Sequence, residues 1–407
     1  MDDLRSEIRA AFEKEQALNP PVADLRSRIR HRVATQPRRE TGVQWLAVAA
    51  AVVIGILVVV GLMSTRQAHR SSVPAAHPTP SPIGDYGPPP AGVPLFYLED
   101  PSHPGWYVGF DWNGVPRGTI KLATPLDPGI VLQQSPDGSS FDLSPGGKGG
   151  GTTFLNRLGT GQTAGTPGMW ADDSLHTCAV SFDQQKYTWT LITGGPGQTS
   201  YGRPVTVIAT DSAIGQTGVS LAACSFKNDR AIAVRTSVSW PSEVWVIRLS
   251  DGQVLSHRGY ADAALGNIVA SPDAALIAEN SRYSVDGTTP DITVIRSAAD
   301  GHVVATLDPS VGVIGFSSDD KLALVTTSPL LPRRLLGLAA IDIALNKVVW
   351  RYEGTSALAG FLTQPLGAGF AVMLQSPSEQ GPHPHVSVVM VFADGRSLGV
   401  PGEFVRP

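Results

Sequence analysis

The sequence predicts an all-β protein in which a four-stranded unit repeats along most of the chain. Three observations predict this fold class. Gly and Pro are frequent, with 43 and 33 copies in 407 residues, which suits many short strands joined by turns. A polar turn between two apolar runs returns along the chain, and an Asp-Gly hairpin returns between its copies. With 42% hydrophobic and 16% charged residues, the composition is that of a globular protein.

The chain begins with a basic arm, residues 1–42, for which two short helices are predicted. Leu4, Ile8 and Phe12 lie on one face of the first helix, and Asn19-Pro20-Pro21 ends it. Two interpretations stay open. The arginines of the arm could hold the membrane topology and contact anionic lipid. Alternatively, Leu4, Ile8 and Phe12 could form a docking site for a cytoplasmic protein.

Residues 43–63 are predicted to form one transmembrane helix. These 21 residues carry no charge and would span about 30 Å as a helix, enough for the hydrocarbon core of a bilayer. The leader of more than forty residues is too long for a cleaved signal peptide. Arginines precede the span more often than they follow it: Arg26, Arg28, Arg30, Arg32, Arg38 and Arg39 against Arg66 and Arg70. We therefore expect a single-pass protein of the cell membrane with a cytoplasmic N-terminus and an extracytoplasmic C-terminal domain.

A Pro-rich stalk, residues 64–94, is predicted to follow the span. Eight prolines lie within 71–94, where no strand or helix pattern is present. The charge changes at about the same point. Residues 1–80 hold 11 Lys and Arg against 7 Asp and Glu, whereas the remainder holds 20 against 28. The lipid bilayer is thus an expected partner, and the acidic main body argues against nucleic acid as another.

The two cysteines, Cys178 and Cys224, both fall in the part of the chain predicted to be exported. In an oxidising compartment an even pair favours a disulfide. The alternative is two buried free thiols, because sequence alone does not show that the two Cα atoms approach closely enough.

Two interleaved repeats give the period of the fold. The polar turns, first seen in "SPDG" at 135–138, align at Asp137, Asp172, Asn228, Asp273, Asp319 and Gly367, in steps of 35, 56, 45, 46 and 48 residues. The hairpin turns lie at Asp251, Asp300, Asn346 and Asp394, in steps of 49, 46 and 48. A unit of about 46 residues with two hairpins is typical of a blade of a β-propeller.

The predicted architecture is a β-propeller of seven blades over residues 95–407, with six or eight blades as alternatives. Six units are predicted at 125–166, 167–215, 216–262, 263–310, 311–358 and 359–402. Residues 95–124 hold three strand candidates, and the C-terminal "GEFVRP" could supply a fourth strand that closes the ring. A β-sandwich is the competing architecture, although it needs no internal period.

The repeats carry a resemblance to known propellers. The "SPDG" turns resemble TolB-type and WD-type repeats, and "LAAIDIALNKVVWRYEG" at 338–354 resembles the repeat of quinoprotein-like propellers, which bind pyrroloquinoline quinone. This resemblance covers roughly 95–407 and implies a fold rather than an activity. The layout of arm, span, stalk and propeller is similar to uncharacterised membrane proteins of actinobacteria. Since Trp350 alone ends a blade in the quinoprotein manner, no cofactor is predicted.

Motifs for catalysis or metal binding are not found in the sequence. The glycine-rich stretch 144–153 does not match a phosphate loop, and His383 and His385 lack further metal ligands nearby. The pairs Asp172-Asp173 and Asp319-Asp320 are interpreted as turn residues rather than as catalytic carboxylates. Most tryptophans of the domain are interpreted as packing between blades: Trp106, Trp112, Trp170, Trp189, Trp240 and Trp245.

The predicted function is a non-catalytic binding module, anchored in the membrane, that takes a protein partner or a small ligand on one face of the propeller. One alternative is a transmembrane signalling protein, similar to an anti-sigma regulator, with the propeller as its sensor. Another is an extracytoplasmic enzyme on a propeller scaffold. The enzyme would place perturbed polar groups in the central channel, whereas the binding module would expose aromatic side chains on one rim.

Overall fold

The structure, a computed structural model, describes residues 84–122, 130–145, 152–161, 163–166, 168–198, 202–210, 218–235, 242–260, 265–281, 293–307, 311–327, 336–375 and 385–405. Leu4, Ile8, Phe12 and the predicted span 43–63 lie outside these ranges, so the predictions made for them stay predictions. Within the described ranges there is no helix long and apolar enough to cross a bilayer.

The described residues form mainly antiparallel strands. The first strands are β1 (Phe96–Glu99), β2 (Trp106–Phe110) and β3 (Pro116–Lys121). Blade 1 consists of β4 (Ile130–Gln134), β5 (Ser140–Pro145), β6 (Thr152–Asn156) and β7 (Thr163–Gly165). Blade 2 consists of β8 (Met169–Trp170), β9 (Thr177–Asp183), β10 (Thr188–Gly194) and β11 (Arg203–Thr210). Blade 3 consists of β12 (Val219–Ser225), β13 (Arg230–Arg235), β14 (Ser242–Arg248) and β15 (Val254–Tyr260).

Two further blades and the last four strands complete the propeller. Blade 4 consists of β16 (Leu265–Ala270), β17 (Leu276–Ser281), β18 (Thr293–Ser297) and β19 (Val303–Leu307). Blade 5 consists of β20 (Val311–Phe316), β21 (Leu322–Thr327), β22 (Leu336–Asp342) and β23 (Lys347–Gly354). The last strands are β24 (Ala357–Thr363), β25 (Gly369–Gln375), β26 (His385–Phe392) and β27 (Ser397–Val405).

The strand pairing confirms an all-β propeller and corrects the predicted number of blades. Among the described strands there are five blades of four strands each, not seven. The remaining strands form one seven-stranded sheet in the order β24-β25-β26-β27-β1-β2-β3, which we call the closing sheet. The six predicted repeat units coincide with blades 1 to 5 and with β24–β27.

The two chain ends of the propeller meet in the closing sheet through β27. Val405 pairs with Glu99 of β1 and also with His385 of β26, so one strand has neighbours on both sides. The register of β27 against β26 shifts between Val386 and Val388. The C-terminal residues therefore lie beside β1 as predicted, but they fuse two groups of strands into one sheet instead of completing a separate blade. This continuity is the physical reason why the count of seven is wrong.

Apolar clusters between neighbouring sheets hold the ring together. Tyr97 packs edge-on against Phe141 of blade 1, with ring centroids 4.9 Å apart. Phe154 of blade 1 packs in the same manner against Trp170 of blade 2, at 5.4 Å. Within the closing sheet Phe110 of β2 packs against Phe404 of β27 at 5.4 Å. Because each blade buries its faces only against its neighbours, the stacking of sheets supplies the core.

The last residues of the predicted stalk contact the propeller. The backbone N–H of Tyr86 donates to Thr119 Oγ1 at 3.1 Å, and the N–H of Thr119 donates to the carbonyl of Gly87 at 2.7 Å. The guanidinium of Arg157 donates to the carbonyl of Pro90. Residues 84–94 are therefore tied to β3 and blade 1 by hydrogen bonds of their backbone groups to backbone and side-chain atoms.

Candidate functional site

The polar turns of the repeat follow the innermost strand of each blade and of the closing sheet. We call them the inner turns: 135–140, 171–176, 225–230, 271–276, 317–322 and 364–369. In the first five, one residue adopts a left-handed backbone with φ between 53° and 67°: Gly138, Ser174, Asp229, Ala274 and Asp320. This residue is the fourth of its turn in four cases, whereas Asp229 is the fifth residue of 225–230. The turns correct two positions of the sequence alignment. Asp173 precedes Ser174 as Asp137 precedes Gly138, so it replaces Asp172. The N–H of Gln364 donates to the carbonyl of Gly369 as that of Ser135 donates to Ser140, so Leu366 replaces Gly367.

Hydrogen bonds link the inner turns to one another around the ring. The N–H of Asp137 donates to Ser174 Oγ at 3.1 Å, and Ser225 Oγ donates to the carboxylate of Asp172 at 2.6 Å. The side-chain amide of Asn228 donates to the carbonyl of Asp273 at 2.8 Å. Further on, Ser318 Oγ donates to the carbonyl of Gly367 at 3.0 Å. The turns therefore form a connected rim, in which side chains of one blade bond to the next.

One contact in this rim joins two carboxyl groups. Burial, followed by the charge of Asp273, raises the pKa of Asp320 to about 7, and the Ser271 hydroxyl opposes the shift. One oxygen of Asp320, Oδ1, is buried and has no hydrogen-bond partner among the described residues. The sequence analysis considered the adjacent pair Asp319-Asp320, but the structure brings Asp320 together with Asp273 of the neighbouring blade.

A central cavity of about 840 Å³ opens inside the rim. It is lined by the innermost strands β4, β8, β12, β16, β20 and β24, so every blade and the closing sheet contribute to it. Each of these strands is the free edge of its sheet. Six residues represent the six strands in its wall: Leu132, Trp170, Ala222, Val269, Ile314 and Phe361. The cavity is thus the natural candidate site of the propeller.

Bulges in the innermost strands help to shape this wall. The register of β12 against β13 skips Ala222, and the register of β20 against β21 skips Ile314. Both skipped residues line the cavity. A bulge leaves one residue without a cross-strand neighbour and re-aims its side chain. Close packing adds to this shape, since a Cβ at Gly315 would lie 2.3 Å from the ring of Phe361.

The polar side chains of the wall are mostly bonded within the protein. Gln134 Oε1 accepts from the N–H of Tyr97 at 2.8 Å, and Ser135 Oγ donates to Asp137 at 2.9 Å. Thr363 Oγ1 donates to the carbonyl of Phe316 at 3.2 Å. The hydrogen bonds of these groups therefore stabilise the turns and strands.

Trp170 is a buried residue of the wall whose polar group has no partner. The side chain is buried, with 9% of its surface exposed, and its indole N–H has no hydrogen-bond partner among the described residues. Trp112 and Trp350 also have buried indole N–H groups without partners, but neither of them lines the cavity. The sequence analysis assigned Trp170 to packing between blades. The structure shows that it packs against Phe154 and also lines the cavity.

Cys178 and Cys224 form a disulfide in the structure, with their sulfur atoms 1.96 Å apart. Cys178 lies in β9 of blade 2 and Cys224 in β12 of blade 3, so the bond joins two blades. Cys224 also lines the central cavity, and its carbonyl accepts a hydrogen bond from the N–H of Asp172 at 3.3 Å. The disulfide therefore lies directly behind the cavity wall.

The sequence analysis expected perturbed polar groups in the central channel for an enzyme, and exposed aromatic side chains on one rim for a binding module. Asp320, the carboxyl group with the raised pKa, lies in the rim, and neither Asp320 nor Asp273 lines the cavity. Exposed apolar side chains are present at two inner turns, but they are aliphatic: Leu175 is 67% exposed and Leu366 is 81% exposed. Within the part of the chain that the structure describes, Tyr86 is the one exposed aromatic residue, and it belongs to the end of the stalk. The described residues thus show no exposed aromatic side chain on the rim.

Further candidate ligands do not assemble into a metal site within the described ranges. His385 is paired at 3.7 Å with Glu403 of the neighbouring strand, whereas His383 lies outside those ranges. A second cavity of about 330 Å³ lies between blades 2 and 3 and is lined partly by Asp229. Both carboxylate oxygens of Asp229 already accept hydrogen bonds from Ser250.

Comparison with known proteins finds solved structures that resemble this chain, with low sequence identity and low TM-scores. No protein-family model matches the chain, and no curated protein matches it. The β-propeller domain of Cps50 (Swd1) from Myceliophteria thermophila is 10% identical, over 72% of this chain and 95% of that one, with a TM-score of 0.43. A eukaryotic initiation factor is 12% identical, over 79% of this chain and 92% of that one, with a TM-score of 0.38. The dihydro-heme d1 dehydrogenase NirN, in complex with DHE, is 14% identical, over 80% and 76% of the two chains, with a TM-score of 0.40.

The fold assignment accordingly rests on the sheets of this chain, and the resemblance to TolB-type repeats stays a prediction.

Proposed function

We propose that the propeller is a non-catalytic binding module that takes a small ligand in its central cavity. The volume of about 840 Å³ carries the proposal, because it lies within the range of roughly 300–1,000 Å³ that is usual for ligand sites. The composition of the wall supports the same conclusion. It is mainly apolar, and most of its polar side chains are bonded within the fold, which suits recognition more than proton transfer.

We also propose that this module is held at the outer face of the cell membrane by residues 43–63. The uncharged run of 21 residues and the arginines before it support an anchor with a cytoplasmic N-terminus. The disulfide between Cys178 and Cys224 is in keeping with an oxidising compartment. Docking of a cytoplasmic protein to Leu4, Ile8 and Phe12 stays a prediction.

The proposed ligand site is tested by measuring which small molecules the protein retains through purification. The full-length chain is prepared as wild type, Ala222→Phe and Val207→Phe. Ala222 lines the cavity, so a phenyl ring there occupies its space, whereas Val207 is 53% exposed on β11 and does not line it. Each protein is equilibrated with a solvent extract of cells and purified again. The molecules released on unfolding are then identified by mass spectrometry.

We expect the wild type and Val207→Phe to release the same molecule and Ala222→Phe to release little or none. Thermal unfolding establishes that all three proteins are folded. Equal release from the three proteins, or an empty wild type, would contradict a ligand site in the cavity.

A further inference from the structure

We propose that the ligand of the central cavity is an uncharged molecule with an apolar body and one carboxamide or lactam group, which hydrogen-bonds to the side chain of Gln133. This inference rests on the proposed function and specifies the chemistry of the ligand at the same site. Three properties of the described wall carry it: one ring of residues within it, the accessible amide of Gln133 and the lack of basic side chains.

One position of the repeat forms a ring around the cavity. It is the residue two places before each inner turn, and all six copies line the cavity: Gln133, Met169, Ala223, Val269, Gly315 and Leu362. Five of the six are apolar or carry no side chain, so Gln133 is the one polar member of the ring. A ligand in the cavity would thus meet apolar surface from five sheets and an amide from blade 1.

The side-chain amide of Gln133 is accessible and unbonded. Gln133 is exposed, and its amide makes no hydrogen bond to another of the described residues. The next residue differs, because Gln134 Oε1 accepts from the N–H of Tyr97 at 2.8 Å. The indole N–H of Trp170 is unpartnered too, but its nitrogen is buried and does not reach a ligand. Gln133 is therefore the polar side chain of the wall that a ligand can bind.

The charge of the wall favours an uncharged ligand. None of the described lining residues is Lys, Arg or His, and Asp172 is the one carboxylate among them. This carboxylate already accepts hydrogen bonds from Ser225 Oγ at 2.6 Å and from the N–H of Phe226 at 2.9 Å, so it does not require a cationic ligand. An anion would lose hydration and find no cation in this wall to compensate it.

The chemistry of the glutamine amide specifies the polar group of the ligand. Its NH2 group donates and its oxygen accepts, so a carboxamide or lactam can form two hydrogen bonds with it at once. A hydrocarbon would displace water from the amide without replacing these bonds. Met169 holds the equivalent position in blade 2 and is 37% exposed, and its flexible side chain can adjust to the apolar body beside the polar group.

Three probes with the same ring system test the inference on the full-length chain. Pyrene is a hydrocarbon, pyrene carboxamide is uncharged and polar, and pyrene carboxylate is an anion. Equilibrium dialysis measures the affinity of each probe for the wild type, Gln133→Leu, Gln185→Leu and Ala222→Phe. Gln185→Leu is the matched control, because Gln185 is also exposed but lies in the turn between β9 and β10 and does not line the cavity.

We expect the wild type to bind the carboxamide about tenfold or more tightly than the carboxylate, because only the anion loses the hydration of a full charge. Gln133→Leu should weaken the carboxamide by roughly three- to tenfold, the value of its hydrogen bonds to an accessible amide, and should not weaken pyrene. Gln185→Leu should change neither affinity, and Ala222→Phe should weaken both. Thermal unfolding establishes that the four proteins are folded.

Three results would overturn the inference: no binding of the carboxamide to the wild type, tightest binding of the carboxylate, or an equal loss of carboxamide and pyrene in Gln133→Leu. Each of them leaves the proposed function in place if the retention experiment finds a ligand that Ala222→Phe loses. If that experiment finds none and no probe responds to Ala222→Phe, both the inference and the proposed function fail.

Discussion

At the scale of single residues, a left-handed backbone position recurs in the turns of the rim. Five inner turns require a left-handed residue, yet glycine occupies this position only at Gly138. Asp229 and Asp320 are tolerated because aspartate adopts this conformation more readily than most residues. Side chains at this position differ from blade to blade, so the same turn can carry different polar groups. Asp320 uses it to bring a second carboxyl against Asp273.

The pair Asp320 and Asp273 should make stability depend on pH. The pKa of Asp320 rises from 3.8 to about 7 on folding because of burial and the charge of Asp273. The folded protein therefore holds this proton more tightly than the unfolded chain, and stability should fall as the pH rises from about 4 to about 7. Asp320→Asn should remove this dependence. Between pH 5 and pH 8 we expect the wild type to lose about 1 kcal/mol more than the variant, after allowance for solvent near the carboxyl.

Urea unfolding at the two pH values checks this prediction, with Asp319→Asn as the control. Burial of Asp319 opposes ionisation, but hydrogen bonds from Lys321 and Ser317 outweigh it and hold the pKa of this carboxyl below its usual value. Asp319 is thus ionised at both pH values, and its contribution is lost only at lower pH. The control should keep the pH dependence of the wild type. The same dependence in Asp320→Asn would rule out the carboxyl pair as its source.

At the scale of elements, β27 closes the ring and gives the propeller its continuous sheet. This strand pairs with β26 along most of its length, and its residue Val405 also pairs with β1. Phe404 is fully buried, and it packs against Phe110 of β2. The ends of the propeller are thus held by backbone pairing and by a shared apolar cluster. A ring closed in this way leaves fewer unpaired strand edges than an open stack of blades.

Truncation of one side chain in β27 should destabilise the whole propeller. Phe404→Ala removes a fully buried ring between β26 and the first strands, which should lower the free energy of unfolding by about 3–5 kcal/mol. Leu398→Ala lies in the same strand, but Leu398 is 47% exposed, so a change within about 0.5 kcal/mol is expected. Denaturant unfolding of both variants measures the difference. Similar losses in the two variants would mean that the closing contact does not limit stability.

At the scale of the whole molecule, the proposed membrane anchor would decide where the propeller acts. Residues 84–94, the last part of the predicted stalk, are tied to β3 and blade 1. If residues 43–63 span the membrane as proposed, we expect a ligand or partner that is available on its outer side.

Membrane association is tested by a charge in the middle of the predicted span. Ile56→Arg should move the full-length chain out of the membrane fraction, because an arginine at the centre of a spanning helix costs about 2.5–3.5 kcal/mol on the insertion scale. Ala75→Arg, in the predicted stalk, should leave the chain in that fraction. Fractionation followed by immunoblotting measures both. Recovery of the wild type in the soluble fraction would contradict the anchor.

The sequence by itself determined the repeat and the local structure. The polar turns marked all six repeat units and the hairpin turns marked the last four of them, because tight turns and alternating apolar residues are local requirements of the chain. The cysteines suggested a link that the structure places between blades 2 and 3. Even the inner turns were found, although the alignment was displaced by one residue at Asp172 and at Gly367.

Only the tertiary structure decided the count of blades and the contents of the site. Val405 pairs with β26 and also with Glu99 of β1, which lies more than 300 positions away in the sequence, and no local pattern encodes that pairing. Ala222 and Ile314 became wall residues through bulges, which alternation of apolar residues does not reveal. Trp170 has the same sequence signal as a packing tryptophan. Its position beside a cavity follows from the closure of the ring, because the cavity exists only when all the innermost strands are brought together.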